Sequence, residues 1–252
     1  DGKLVKKGDT TGPWSAGLVL NDQDVDFAVL ETARGGILRK GLGFDKCDVS
    51  VLTNIREDHL GVDGLEDLED IFWVKSLLLE VTDENGACVI NANDDFAEKA
   101  IEKAKGVPVL FGIETNELML DHKERGEIVF TIDSDCLVRY NGKQRKEIIN
   151  ITEIPFIIGG VNIILEDALA AAAAAFSSGF SSTQIEEGLK TFEMNYEMNP
   201  GRLNIYEFNE SKIVLDYAHN IDGLKALGEF VREMPGERTM ASFSVPGDRD
   251  DD

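Results

Sequence analysis

The chain has 252 residues, enough for one large or two modest domains with a real core. Acids outnumber bases 48 to 25, for a net charge of −23. That field argues against nonspecific binding to nucleic acid or anionic membrane, yet leaves room for a nucleotide held by local cations or Mg2+, or for a cationic substrate. Three cysteines, Cys47, Cys88 and Cys136, lack metal-ligand spacing and are expected to be free thiols in a reducing compartment. No signal peptide and no membrane-length apolar run occurs, so the expected location is the cytoplasm. The opening at Asp1-Gly2 without Met, and the closing loop Pro246-Gly-Asp-Arg, suggest a piece of a longer protein.

In chain order, Asp26–Glu31 reads as a strand ending on an acid, followed by a loop at Thr32–Gly36. Val49–Leu52 reads as a short buried strand that stops at Thr53-Asn54 and opens into a polar loop carrying Glu57, Asp58 and His59. Leu65–Val81 has helical periodicity, with Leu68, Ile71, Phe72, Leu78 and Leu79 on one face. Strand Ala87–Ile90, helix Phe96–Lys105 and strand Val107–Phe111 follow. Strands alternating with helices indicate an α/β fold with a mostly parallel, doubly wound sheet.

After Gly112 the pattern turns β-rich. Ile128–Ile132, Cys136–Tyr140 and Lys146–Ile151 read as an antiparallel subdomain, with Asn141-Gly142 as a hairpin turn. An alanine-rich helix at about Asn162–Ser178 comes next, then a helix with Thr183 and Glu186 placed as a capping box. Asn199-Pro-Gly-Arg202 marks a domain boundary. Beyond it come strands Leu203–Phe208 and Lys212–Leu215, a helix at about Asp222–Glu233 and a strand near Thr239–Phe243. This is the start of a truncated Rossmann-like α/β domain. The expected division is therefore 1–198 and 199–252.

Several side chains could carry chemistry. Glu31 ends a predicted strand at the sheet's carboxyl edge. On pattern alone a solvated acid is the readier reading, and a Mg2+ ligand or base the sharper one. His59 is one of three histidines; it is either a surface residue or, beside Glu57 and Asp58, part of a hard-metal or phosphate site. Lys75 falls on the apolar stripe of its helix. Burial of lysine is costly unless the amine is paired or modified, though a snorkelling stem at the stripe's edge would also fit. Asp216-Tyr-Ala-His-Asn220 follows a strand and suits nucleotide or phosphate handling, or is an ordinary strand-to-helix turn. No GxxxxGK[ST] occurs.

The stretches GDTTGPWSA (8–16), ETARGGILRKGLGFDKCDV (31–49), TNIREDHLG (53–61), NPGRLN (199–204), LDYAHNIDGLKAL (215–227) and VPGDRDD (245–251), in that order, resemble the Mur ligase family of ATP-dependent amide-bond ligases. The resemblance is nearest to the cyanophycin synthetase branch, in its carboxyl-terminal Mur-like half. It spans nearly the whole chain and is weakest between Gly112 and Ile154. It implies ATP and Mg2+ as cofactors, and phosphorylation of a carboxylate to an acyl phosphate that an amine then attacks. In that branch the amine is arginine and the carboxylate the β-carboxyl of a poly-aspartate backbone.

By resemblance Glu31, His59 and Lys75 are metal-holding catalytic residues, Lys75 through a carbamate. Arg202 and Asp216 are the residues that close onto ATP, with Tyr217, His219 and Asn220 beside them. The central ATP-binding domain would be 1–198, with its P-loop upstream of Asp1, so the polypeptide alone is expected to be inactive. An ATP-grasp region would also lie upstream in the parent chain. Homo-oligomer formation is compatible with all of this. The family's histidine and asparagine at the start of the alanine-rich helix are replaced by Val161 and Asp167. Other readings are a Mur or folylpolyglutamate-type ligase for another amino acid, and a noncatalytic nucleotide-binding domain.

Overall fold

The computed structural model describes residues 4–8, 10–57, 61, 63–157, 162–236 and 238–243. Asp58, His59 and Val161 lie outside them. The chain forms two compact units, Asp1–Leu110 and Phe111–Asp252.

The first unit starts with two short helices, α1 (Pro13–Leu20) and α2 (Arg34–Lys40). Then come β1 (Cys47–Leu52), α3 (Leu68–Glu80), β2 (Thr82–Asn91) and α4 (Ala97–Lys103). β1 and β2 run parallel, Val49 beside Ala87 and Leu52 beside Ile90. Parallel neighbours need a crossover, and α3 supplies it. Its first turn is capped by Asp67, whose side chain accepts from the Asp70 amide at 3.0 Å. Ile71, Phe72, Val74 and Leu79 of α3 are buried, as are Leu52, Val89 and Ile90 of the strands. Phe72 stacks on Phe96 with ring centroids 5.1 Å apart. The next strand, β3 (Val107–Gly112), contains the boundary between the units.

In the second unit α5 (Glu117–Glu124) precedes a meander of β4 (Ile128–Asp133), β5 (Cys136–Asn141) and β6 (Gln144–Asn150). Both meander pairings are antiparallel. The β4–β5 turn places Ser134 and Asp135 at φ 55° and 58°, the left-handed pair that suits a two-residue hairpin. The predicted Asn141-Gly142 hairpin joins β5 to β6, with Gly142 at φ 57°. The six strands form one sheet in the order β1-β2-β3-β4-β5-β6. The expected α/β class holds, and the antiparallel strands continue the sheet instead of making a separate layer. β6 ends the order, and its exposed Gln144-Arg-Lys-Glu147 run guards that edge against strand addition.

α6 (Asn162–Ser177) buries Leu165, Ala168, Leu169, Ala172 and Ala173. Its Phe176 lies 5.8 Å from Phe130 of β4. α7 (Ser182–Thr191) follows, with Ile185 and Leu189 as its buried i, i+4 pair. Last come β7 (Asn204–Phe208) and β8 (Ser211–Leu215), an antiparallel hairpin in a sheet of its own, and α8 (Ile221–Glu233).

Four expectations need correction. Asp26–Glu31 is not a strand; no described strand pairs with it, Val29 is 86% exposed, and an apolar run without a ladder partner does not become a strand. Thr239–Phe243 is likewise irregular and exposed. Residues 34–36, predicted as loop, begin α2. Two glycines disfavour a helix by about 1 kcal/mol each, but a Cβ at Gly36 would stand 3.3 Å from Gly12 Cα and from the Thr11 carbonyl, so packing selects glycine there. The capping box uses Ser181 and Gln184, two positions before the predicted Thr183 and Glu186. Both pairs fit the S/T-x-x-E/Q pattern. The earlier start leaves Glu186 free to pair with Lys190 at 2.7 Å.

Candidate functional site

The described candidates lie in both units, Glu31 and Lys75 in the first and Arg202, Asp216, Tyr217, His219 and Asn220 in the second. In the first, β1 ends at Leu52 and the chain passes into the loop Thr53–Glu57. The outer ends of parallel strands are where α/β sheets present ligand-binding loops. Ile55 turns inward and is 2% exposed, while Thr53 and Glu57 are exposed. Lys75 is half-buried at the edge of α3's apolar face, and its Nζ donates to the Asn54 carbonyl at 3.0 Å. The lysine is thus not an orphaned cation, for the Asn54 carbonyl accepts a hydrogen bond from it.

Asp94, in the loop between β2 and α4, reaches the same place. Its Oδ2 accepts from the Ile55 amide and from Arg56 Nη1, both at 2.8 Å. Oδ1 accepts from the Phe96 amide at 3.0 Å. The carboxylate is buried and the Arg56 side chain about 40% exposed. Sequence reasoning passed over Asp94; the signal was an acid in a polar Asn91–Asp95 run directly after a strand.

Glu31 is exposed, three residues before α2. Arg34, the first residue of α2, has a buried Nη1 with no hydrogen-bond partner among the described residues. His59 lies outside the described residues. Among the described residues no group of three His, Cys, Asp or Glu side chains is arranged to hold a metal. Mg2+ does not require such a cage, since it is commonly held by one or two carboxylates, waters and substrate phosphates. The exposed oxygen donors of Glu31 and Glu57 fit that chemistry.

The second cluster surrounds the turn Asn199–Asn204. Gly201 has φ 77° and Leu203, a branched residue, has φ 47°. The turn is held by two buried or half-buried side chains. Asn204 is 1% exposed; its Oδ1 accepts from the Gly201 amide at 2.7 Å. Its Nδ2 donates to the carbonyls of Asn199 (2.8 Å) and Arg202 (3.1 Å). Asp216, just after β8, accepts from the Leu203 amide at 2.8 Å and from the Ala218 amide at 2.7 Å. This brings the two predicted stretches together, with the Arg202 guanidinium 5.6 Å from the Tyr217 ring.

His219 Nδ1 is 2.8 Å from the Tyr217 carbonyl, and the two rings lie 4.9 Å apart. Asn220 is the N-cap of α8, its Oδ1 accepting from the Gly223 amide at 2.7 Å, so its amide oxygen serves the fold. Asp167 is part of this electrostatic neighbourhood. Crowding by its neighbours pushes its carboxyl up to about 6 by partial desolvation, although the side chain still reaches solvent; Glu166 adds to the shift, and Arg202 opposes it. An apolar cavity of about 280 Å³ lies behind the turn, lined among others by Phe156, Leu203, Ile205 and Phe230.

Comparison with known proteins bears on the family and the fold. The Mur ligase middle domain matches residues 8–175. A cyanophycin synthetase of Crocosphaera subtropica is 38% identical over 251 residues, covering 99% of this chain and 29% of that protein. The chain therefore spans less than a third of the length of that relative. A UDP-N-acetylmuramoylalanyl-D-glutamyl-2,6-diaminopimelate–D-alanyl-D-alanyl ligase from Acinetobacter baumannii shares the fold at TM-score 0.55 and 20% identity, over 75% of this chain and 38% of that one. The E. coli FolC structure with DHPP and ADP does so at TM-score 0.52 and 18% identity, over 77% of this chain and 40% of that one. With two thirds of its length matched by the middle domain, the chain belongs to the Mur ligase family.

Proposed function

We propose that this chain is the Mur-like, ATP-handling part of a cytoplasmic amide ligase that joins arginine to the β-carboxyl of a poly-aspartate backbone. Residues 1–198 serve as its central domain and 199–252 as the beginning of its carboxyl-terminal domain. A P-loop and an ATP-grasp region upstream in the parent chain complete it. The observation that carries the reading is the relatedness along 99% of the chain to a cyanophycin synthetase. The two clusters support it, with Lys75 drawn to the carbonyl at the end of β1 and Asp216 fixing the turn that bears Arg202.

In this reading Glu31, His59 and Lys75 hold Mg2+, Lys75 after carbamylation of its amine. Bound Mg2+ would neutralise phosphate charge as the acyl phosphate forms. Arg202 supplies a fixed cation toward the nucleotide. Asp216 holds Arg202's turn through the Leu203 amide, and Tyr217 flanks the guanidinium. His219 and Asn220 belong to the same strand-to-helix turn, Asn220 as its cap. The net acidic field favours approach of a cationic amino acid such as arginine.

The test is phosphate release by the full-length protein with ATP, Mg2+, arginine and a β-linked aspartate primer. Arginine should stimulate release well above background. Release that is indifferent to arginine sinks the substrate assignment. Glu31→Gln and His59→Ala should each lower turnover at least tenfold while leaving the melting temperature nearly unchanged. A His59→Ala protein that unfolds but keeps full activity per folded molecule would make His59 structural.

A further inference from the structure

Asp94 does more than its place in the chain requires. A carboxylate two residues before a helix N-cap commonly turns the backbone with one oxygen, and Oδ1 of Asp94 does this through the Phe96 amide. Its second oxygen is spent elsewhere. Oδ2 takes two donors from a loop 38 and 39 residues away, the Ile55 amide and the Arg56 guanidinium. Ile55 is 2% exposed, so water cannot replace that acceptor. Arg56 Nη1 also donates back to the Ile55 carbonyl at 2.9 Å, so Ile55 is held at both its amide and its carbonyl. One residue earlier, the Asn54 carbonyl receives Lys75 Nζ.

The bonds form one continuous chain: Asp94 to Ile55 and Arg56, then through the Asn54 peptide to Lys75. We propose that Asp94 is a positioning residue that sets the carbonyl on which the Lys75 amine is held, and so sets where that amine stands at the carboxyl end of β1. The inference rests on the role given to Lys75 in the proposed function. It adds a residue that touches neither nucleotide nor metal. Asp94 is suited to this because its own rotamer is fixed by the Phe96 amide and its surroundings exclude water. Arg56 is the weaker half of the clamp, since its side chain is about 40% exposed.

The experiment uses the full-length protein with Asp94→Ala, Asp94→Glu and Arg56→Met. The first readout is the rate at which an amine-reactive ester labels Lys75 in CO2-free buffer, where the amine carries no carbamate, followed by peptide mass spectrometry. It should rise at least threefold in Asp94→Ala and less in Arg56→Met. The second is steady-state phosphate release. kcat should fall at least tenfold in Asp94→Ala, with the KM for arginine unchanged, and Asp94→Glu should recover part of the loss. If Asp94→Ala does not fold, Arg56→Met decides, because a half-exposed arginine can be replaced without opening the core.

Lys75 labelling at the wild-type rate in every folded variant overturns the proposal. So does a rise in the KM for arginine that accounts for the whole loss of activity. A wild-type protein that releases no phosphate refutes the ligase reading instead, and the labelling rates then judge Asp94 alone.

Discussion

Replacing Asn204 by alanine should loosen the turn that carries Arg202. Asn204 makes three hydrogen bonds, to the Gly201 amide and to the Asn199 and Arg202 carbonyls, at 2.7 to 3.1 Å. A net value of about 1 kcal/mol per bond gives a ceiling of about 3 kcal/mol. The three partners border solvent and regain part of that from water, which leaves about 2 kcal/mol. That corresponds to about 30-fold faster hydrogen exchange at the Gly201 amide, at 1.4 kcal/mol per factor of ten. The left-handed backbone at Leu203 adds to the tendency, because it costs about 1 kcal/mol and holds only while its neighbours are fixed. Asn204→Asp sharpens the test. It keeps the acceptor for Gly201 but sets a carboxylate oxygen against two carbonyls, and should be no better than alanine. Exchange at Gly201 that is unchanged in Asn204→Ala, or an Asn204→Asp protein as protected as wild type, would refute the reasoning.

Gly86→Ala should lower the melting temperature sharply. A Cβ there would stand 2.3 Å from the Asp48 carbonyl, so β1 must shift and the cost exceeds about 3 kcal/mol. Ser181→Ala removes the capping box of α7 and should cost about 1 kcal/mol in denaturant unfolding, while Ser181→Thr should cost much less. Asp167→Asn tests the raised carboxyl. With its folded value at about 6, the native state holds a proton that the unfolded chain has already released, so stability falls as pH rises from about 4 to 6. The asparagine variant should flatten that slope and gain about 1 kcal/mol at pH 7.5, a figure reduced from the full shift because the side chain reaches solvent. A steeper slope in the variant would contradict the assignment.

Periodicity located the helices and strands that have packing partners close in sequence. α3, α6, the β4–β6 meander and the β7–β8 hairpin all lie within a few residues of where their patterns place them. It failed where a partner decides the outcome. Asp26–Glu31 has the composition of a strand but no described ladder partner, and Arg34-Gly-Gly36 has the composition of a loop but packs as a helix against Thr11 and Gly12. The candidate residues stood out for a different reason. Lys75 stood out because a lysine interrupts an apolar face, and Asp216 because an acid follows directly on a strand. Asp94 followed a strand as well but was one of several polar residues there, and Asn204 gave no such signal, for a polar residue in a polar turn looks like surface until its burial is known.

Those two residues share a physical task. Each places a buried Asx side chain beneath a loop and captures a backbone amide of that loop, at Ile55 one sealed from water. Asp94 captures the Ile55 amide, and Asn204 the Gly201 amide. Asp216 repeats the device from the half-buried side, capturing Leu203 and Ala218. An amide left unpaired in such a position costs about 1–3 kcal/mol, so each capture selects one loop conformation over its alternatives by a factor of about ten to a hundred. That is the degree of fixing a charged side chain needs before it can meet a phosphate or a metal without first paying to order its own backbone. Lys75, on α3, is therefore held against a loop ordered from below, and Arg202 lies on a turn ordered in the same way; in the proposed function the acids and amides that order them determine the chemistry as much as the cations do.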